Sequence, residues 1–273
     1  MIRSLNFHQS FAPERDALAQ LLSLSQENCP PLTKEEISKI TTISTGESSG
    51  KVVPNLLYAE MMGILDVKVC EGRYQLYPNP LGTVIKNEDP FLIESITKWI
   101  CHYNLAFKNS KTVLWSYIFN EVIKQLGTSF SKESLQKVVN KNFEAQVNLT
   151  PFRSCYLNND RSFTALELLK EEDNNYRMIP HNVEPSYMYL YAYQLLNSWE
   201  IFLEDRTEIT FNEIKEKLYF GDPYVWGDRE IHHVLELLHD EKIIILNRQL
   251  NPLTIVRHEN SKDILNKLYS LLI

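Results

Sequence analysis

Apolar residues recur at helical spacing in two stretches near the chain ends, and each stretch runs on into two short apolar segments around a turn. Near the C-terminus, Thr210-Phe-Asn-Glu-Ile-Lys-Glu-Lys-Leu218 predicts a first helix. Gly227 to His239 predicts a second, with Ile231, Val234, Leu235 and Leu238 on one side. Lys242-Ile-Ile-Ile-Leu-Asn247 and Leu253 to His258 then predict a hairpin around Asn251-Pro252. Near the start, Leu32 to Thr41 and Gly50 to Ile64 are the expected helices, the second with Leu56, Leu57, Met61 and Ile64 on its apolar face. Asp66 to Cys70 and Arg73 to Pro78 form the expected hairpin, turning at Glu71-Gly72. Helix, turn, longer helix and two strands is the order of a winged helix. Its second helix has the size to enter a DNA major groove, and the same unit also docks proteins.

Between these stretches the pattern is mostly helical. Ser10 to Ser23 predicts an opening helix with Pro13 in its first turn, and Gln26 to Pro31 a linker. Thr33 with Glu36 three residues on is a capping box, and Pro54 is expected in the first turn of its helix. Asp89-Pro90 opens a long helix to about Asn104. Thr112 to Leu126 carries Val113, Trp115, Ile118, Phe119, Val122 and Ile123, too apolar for a surface helix and expected at a buried centre. Ser131 to Val139 is a further amphipathic helix, Asn148 to Asn175 is polar and broken, and Tyr176 to Ile179 is a short strand. Pro185 to Glu204 predicts a long aromatic helix packed between the middle and C-terminal units. The expected fold is mainly α with small β-wings: an N-terminal helix (1–29), a winged-helix unit (30–88), a helical middle domain (89–206) and a C-terminal winged-helix unit (207–273).

Composition narrows the setting. With 273 residues, 44% of them hydrophobic, the chain can bury a substantial core, and no apolar run approaches the roughly 20 residues a membrane span needs. The start, Met1-Ile-Arg-Ser-Leu-Asn-Phe-His8, lacks an apolar signal core. Cys29, Cys70, Cys101 and Cys155 are scattered and form no Cys-x-x-Cys pair, which suits neither a zinc site nor a disulfide framework. A cytoplasmic protein without a membrane is expected.

Net charge is −7, against indiscriminate phosphate binding, but it is unevenly spread. Residues 98–161 hold nine Lys/Arg against four Asp/Glu, a balance of +5, between flanks of −4 and −8. This basic segment is the natural place for a phosphate track, although a charge run also serves plain solvation. The candidate DNA contacts are Lys51 and Asn55 at the start of a winged-helix second helix, Lys132, Lys137, Lys141, Arg153 and Arg161 in the basic segment, and Arg229 on the second C-terminal helix.

Glycine-rich phosphate loops, Gly-x-Ser-x-Gly elbows and His-Glu-x-x-His helices are absent. His232, Glu236 and His239 share one helix face at metal-ligand spacing. That face lies opposite the apolar stripe, so solvent exposure is the better reading and no metal ligands are assigned. A second set is His8, Arg15, His102, Asn120 and Glu121. Buried polar groups need partners, so these residues suit a structural hydrogen-bond network with Arg15 and Asn120 as members. They equally suit acid–base or metal-assisted work on a phosphodiester, with Glu121, His102 and His8 as candidate catalytic groups.

These residues also carry a resemblance. Phe7-His8-Gln9-Ser10-Phe11 with Arg15 resembles the "H-x-T-F…R" start of the bacterial domain of unknown function 4007 family, and Gly50-Lys51 resembles the Gly-Lys opening that family's second helix. Tyr74-Gln-Leu-Tyr-Pro-Asn-Pro-Leu-Gly82, Asp89-Pro-Phe-Leu-Ile-Glu94, Trp99-Ile-Cys-His-Tyr-Asn-Leu-Ala106 and Trp115-Ser-Tyr-Ile-Phe-Asn-Glu121 parallel its later motifs in order and spacing. Two motifs depart. Asp16-Ala-Leu-Ala19 replaces Trp-Leu-Lys, and Ser131 to Val139 only echoes a Ser-x-x-Thr-Leu-x-x-Asp-Val motif. The resemblance implies a DNA-directed accessory protein of a phosphorothioation modification and defence system. Its implied partners are duplex DNA and the system's cysteine desulfurase, sulfurtransferase and ATPase. Strand nicking with a divalent metal such as magnesium is a further implied activity. A non-catalytic winged-helix adaptor docking partner proteins, which the acidic ends favour, and a transcription regulator are the alternative readings.

Overall fold

A computed structural model describes residues 5–46, 50–158, 163–249 and 251–272. The protein is mostly helical with small antiparallel sheets, and it divides into two compact units, Met1–Ile179 and Pro180–Ile273.

The first unit opens with helices α1 (Arg15–Leu24), α2 (Lys34–Ile40) and α3 (Val52–Met61), then the hairpin β1 (Asp66–Cys70) and β2 (Arg73–Tyr77). α4 (Pro80–Glu88) and α5 (Ser95–Ala106) follow. One continuous helical stretch is built from α6 (Val113–Tyr117), a π-helical turn (Ile118–Val122) and α7 (Ile123–Leu126). β3 (Ser129–Ser131), α8 (Lys132–Phe143), α9 (Thr150–Leu157), β4 (Leu169–Glu172) and β5 (Asn175–Met178) complete the unit. The second unit contains α10 (Met188–Phe202), β6 (Glu208–Thr210), α11 (Phe211–Glu216), α12 (Asp228–Asp240), β7 (Ile244–Asn247), β8 (Thr254–Arg257) and α13 (Ser261–Leu265).

Local chemistry sets many boundaries. Thr33 Oγ1 accepts from the Glu36 amide at 3.2 Å while the Glu36 carboxylate accepts from the Thr33 amide at 2.7 Å, the expected capping box. Thr210 and Glu213 repeat it for α11, and Ser131 caps α8. Pro54 falls in the first turn of α3, where its missing N–H costs nothing.

Other expectations are corrected. The opening helix starts at Arg15 rather than Ser10, because Gln9 and Ser10 have positive φ (46° and 73°), which breaks a helix there. Asp89 ends α4 instead of opening α5. Its buried carboxylate accepts from the Ile93 and Glu94 amides, both at 2.9 Å, and from the Thr97 hydroxyl at 2.7 Å, which fixes the turn between the helices. On α3, Leu56 is fully buried, as is Ile64 just beyond the helix, but Leu57 and Met61 are half-buried. Tyr58, Ala59 and Met62 are the further core residues of this stretch. α10 packs on α12 and α13 within its own unit.

One topology recurs. A strand position, two helices and a hairpin whose last strand lies in the middle appear as β6–α11–α12–β7–β8, with sheet order β6-β8-β7. β3–α8–α9–β4–β5 has the same order, β3-β5-β4. At the N-terminal end Leu32 bridges Tyr74 of β2 and stands for the first strand, ahead of α2, α3, β1 and β2. The sequence pattern suggests only the outer two. The middle copy is hidden because β3 is three residues long and β4, an edge strand, exposes Lys170, Glu171 and Glu172.

Candidate functional site

The basic segment folds around β3, α8 and α9. Ser131 pairs with Asn175 in the sheet, which places Lys132, the next residue, at the start of α8 beside Tyr176. Glu171 lies directly opposite Tyr176 in the β4–β5 register. Arg153, on α9, reaches the same point. Lys132 Nζ stands 5.8 Å and the Arg153 guanidinium carbon 5.9 Å from the centre of the Tyr176 ring. The Glu171 carboxylate bridges both cations, pairing with Lys132 and lying 3.1 Å from Arg153 Nη2. Hydrogen bonding from Lys132, then from Arg153, holds the Glu171 carboxyl below its usual range. Lys132, Arg153 and Tyr176, without Glu171, line a polar cleft of about 350 Å³ together with Gln136, Asn148 and Thr150.

Lys137 and Lys141 project one turn apart from the exposed face of α8 and make no hydrogen bond or ion pair with any described residue. The other basic side chains of the segment differ: Lys108 pairs with Glu121, Lys111 with Glu60, and Lys98 donates to the Ile93 carbonyl at 2.7 Å. Arg161 lies outside the described residues. At α3, Lys51 pairs with Glu14 at 2.7 Å. Asn55 is fully buried: its Oδ1 accepts from the Glu14 amide at 3.1 Å and its Nδ2 donates to the Lys51 carbonyl at 2.8 Å. Asn55 therefore locks α3 to the segment before α1 and presents nothing to a duplex. Arg229 is exposed in the first turn of α12.

The second candidate set divides. His8 is buried against Phe7 and Trp115, with ring centroids 5.4 and 6.3 Å away. Its Nδ1 accepts from the Ser10 amide at 3.1 Å, and its Nε2 meets no partner among the described residues. His102, also buried, bonds through Nδ1 to the Tyr156 hydroxyl at 2.8 Å and packs on Phe119 at 4.7 Å. Trp115, Phe152 and Phe119 link the two histidines into one aromatic core, but each keeps its own partners. Asn120, in the π-helical turn, donates to the Ala106 and Ser116 carbonyls, both at 2.7 Å. Glu121 turns away to Lys108, and Arg15 pairs with Asp16 at the surface, 2.9 Å apart. Arg15, paired with Asp16, makes no bond to His8, His102, Asn120 or Glu121 among the described contacts.

Burial lowers the pKa of His8 to about 4, and that of His181 in the second unit likewise to about 4. Both lie below the unfolded value, so between pH 6.5 and about 4 the unfolded chain binds more protons and stability falls with falling pH. The slope is at most about 1.4 kcal/mol per pH unit for each histidine. Melting temperature measured from pH 7 to 5 should therefore drop, and His8→Gln or His181→Gln should flatten that drop. An unaltered profile in both variants would show that neither ring is buried in its neutral form.

In the second unit His232 stacks on Phe211, with centroids 4.0 Å apart. Glu236 pairs with Arg248, and His239 Nδ1 lies 3.4 Å from the backbone of Ile244 and Leu246. Among the described residues no three His, Cys, Asp or Glu side chains converge as metal ligands. Nor, among them, is any helix long and apolar enough to cross a membrane.

The profile of the family "Protein of unknown function (DUF4007)" matches residues 61–160. The match takes in the motifs from Tyr74 to Glu121 and leaves out those around His8 and Lys51. No curated protein matches the sequence. Two solved structures share the fold, each at 15% identity and over 98% of this chain and 88% of the other. They are a crystal structure of SspB with a TM-score of 0.75 and one of magnesium ion-bound SspB with a TM-score of 0.79. Over residues 61–160 the chain is thus similar to the DUF4007 proteins of unknown function, and its fold is that of SspB.

Proposed function

We propose that the protein is a DNA-binding accessory protein of a bacterial DNA phosphorothioation system, built on winged-helix units. The thrice-repeated order of strand, two helices and hairpin supports the winged-helix reading. The observation that carries DNA binding is the pair Lys137 and Lys141, exposed on one face of α8 and without a partner among the described residues, in a chain whose net charge is −7. Cations left without protein counterions are the ones that gain most from phosphate and release its condensed ions. The similarity to DUF4007 proteins and to the SspB fold supports the phosphorothioation context, with the system's desulfurase, sulfurtransferase and ATPase as expected partners.

His8, His102 and Glu121 have separate partners, so their surroundings favour structural roles. Glu121, Glu171 and Glu213 sit with their own cations and Asp89 with the Ile93 and Glu94 amides, and no cleavage step is assigned to them.

Lys137→Glu with Lys141→Glu should weaken duplex binding about tenfold or more at moderate salt and reduce the salt slope by roughly two units. A fluorescence-anisotropy titration across salt concentrations reads both. Unchanged affinity in the double variant would move the DNA contact away from α8. A second reading, docking of a partner protein, is favoured by one observation: Phe91 and Ile93, between α4 and α5, are 67% and 53% exposed.

A further inference from the structure

The cleft beside α8 and α9 holds two cations on one ring, and a single carboxylate neutralises both. That carboxylate meets Arg153 poorly. Both Glu171 oxygens approach Nη2, at 3.4 and 3.1 Å, while the neighbouring Nε is buried and finds no acceptor among the described residues. A guanidinium offers Nε and Nη2 as a parallel pair of donors, and a tetrahedral phosphate with two oxygens on that edge accepts from both. The cleft, about 350 Å³, has room for such a group with its attached sugar, and its wall carries Gln136, Asn148 and Thr150. Glu171 itself comes from β4, the edge strand of its sheet, and can swing outward without breaking a ladder.

We propose that this cleft is a subsite for one phosphodiester of a nucleic-acid strand, and that Glu171 holds the cleft's two cations in the unbound protein. The inference rests on the DNA-binding reading and deepens it. Glu171 is a resident competitor: binding there exchanges a carboxylate for a phosphate, and the Nε of Arg153 gains its missing acceptor.

Glu171→Gln removes the competitor while keeping the side chain's shape. Its affinity for a short DNA duplex should rise about fivefold near 0.1 M salt, and its salt slope should steepen by about one unit as the freed cations take up a phosphate. Glu172→Gln is the charge-matched control. It is the next residue of the same strand, points to the other face and lies 3.8 Å from Arg177, so its gain should stay below twofold. Arg153→Gln should weaken binding and cancel the gain of Glu171→Gln in the double variant. Glu171→Ser is the substitute if the Gln variant folds poorly.

Equal behaviour of Glu171→Gln and Glu172→Gln, with the wild type binding duplex, overturns the subsite and leaves the DNA-binding reading standing. If the wild type binds no duplex, pyrophosphate is titrated while the Arg153 Nε–H resonance is followed. A saturable shift, larger in Glu171→Gln, supports an anion site here even though the DNA reading has failed. No shift overturns the subsite as well.

Discussion

Gly82→Ala should destabilise the first unit by about 2–3 kcal/mol or more, although the same exchange in an ordinary helix interior stabilises by about 1 kcal/mol. Gly82 sits in the first turn of α4, where its amide donates to the Asn79 side chain at 2.7 Å. A Cβ at this position would lie 1.8 Å from the Ile64 carbonyl oxygen and 2.8 Å from its carbon. The obstacle is backbone, so no rotamer change relieves it; α4 must move off the end of α3. Loss of the cap would follow from that movement. Calorimetry or denaturant unfolding checks the sign: a variant at least as stable as wild type would show that α4 does not approach Ile64 so closely. The Gly that closes the Tyr74–Gly82 motif is thereby explained by close packing rather than by a ligand.

Trp115→Ala should cost about 3–5 kcal/mol, the range for removing a buried tryptophan and a large share of the roughly 5–15 kcal/mol that keeps a domain folded. Trp115 is fully buried, and its ring centroid lies 6.0 Å from those of Phe7 and Tyr58 and 5.9 Å from that of Phe152. It therefore joins the segment before α1, helix α3, helix α6 and helix α9. Deleting it opens a cavity at a junction of four elements, where collapse of the surroundings is least able to fill the space. Trp115→Phe should recover part of the loss, because an aromatic ring still meets the same neighbours. Chemical denaturation monitored by circular dichroism decides the matter; an Ala variant within about 1 kcal/mol of wild type would place Trp115 outside the core.

The local signals in the sequence determined the elements whose hydrogen bonds close within a few residues. Thr33 with Glu36 and Thr210 with Glu213 cap their helices because each reciprocal bond spans three residues. The hairpin at Glu71-Gly72 forms because Gly72 and Glu71 take positive φ (76° and 50°) between two apolar-patterned strands. The apolar run around Trp115 could be read as buried from composition alone, and the α12 stripe of Ile231, Val234, Leu235 and Leu238 from its spacing.

Only the tertiary structure decided what distant residues do to one another. Periodicity could not choose Leu56 over Leu57 as the inward residue of α3, because both are leucines and the facing elements make the choice. It could not show that Asn55 is consumed by the Glu14 amide, or that Glu121 belongs to Lys108 rather than to Arg15 or His8. The middle repeat is not legible in the sequence because an exposed edge strand such as Leu169–Glu172 is polar, and its identity as a strand comes from pairing with Asn175–Met178. The cluster of Lys132, Arg153, Glu171 and Tyr176 is the extreme case. Two helices and two strands contribute to it, and none of these residues carries a local mark of the others. Charge attraction and sheet register act across space, so a site assembled by them is written in the fold rather than in the spacing of the chain.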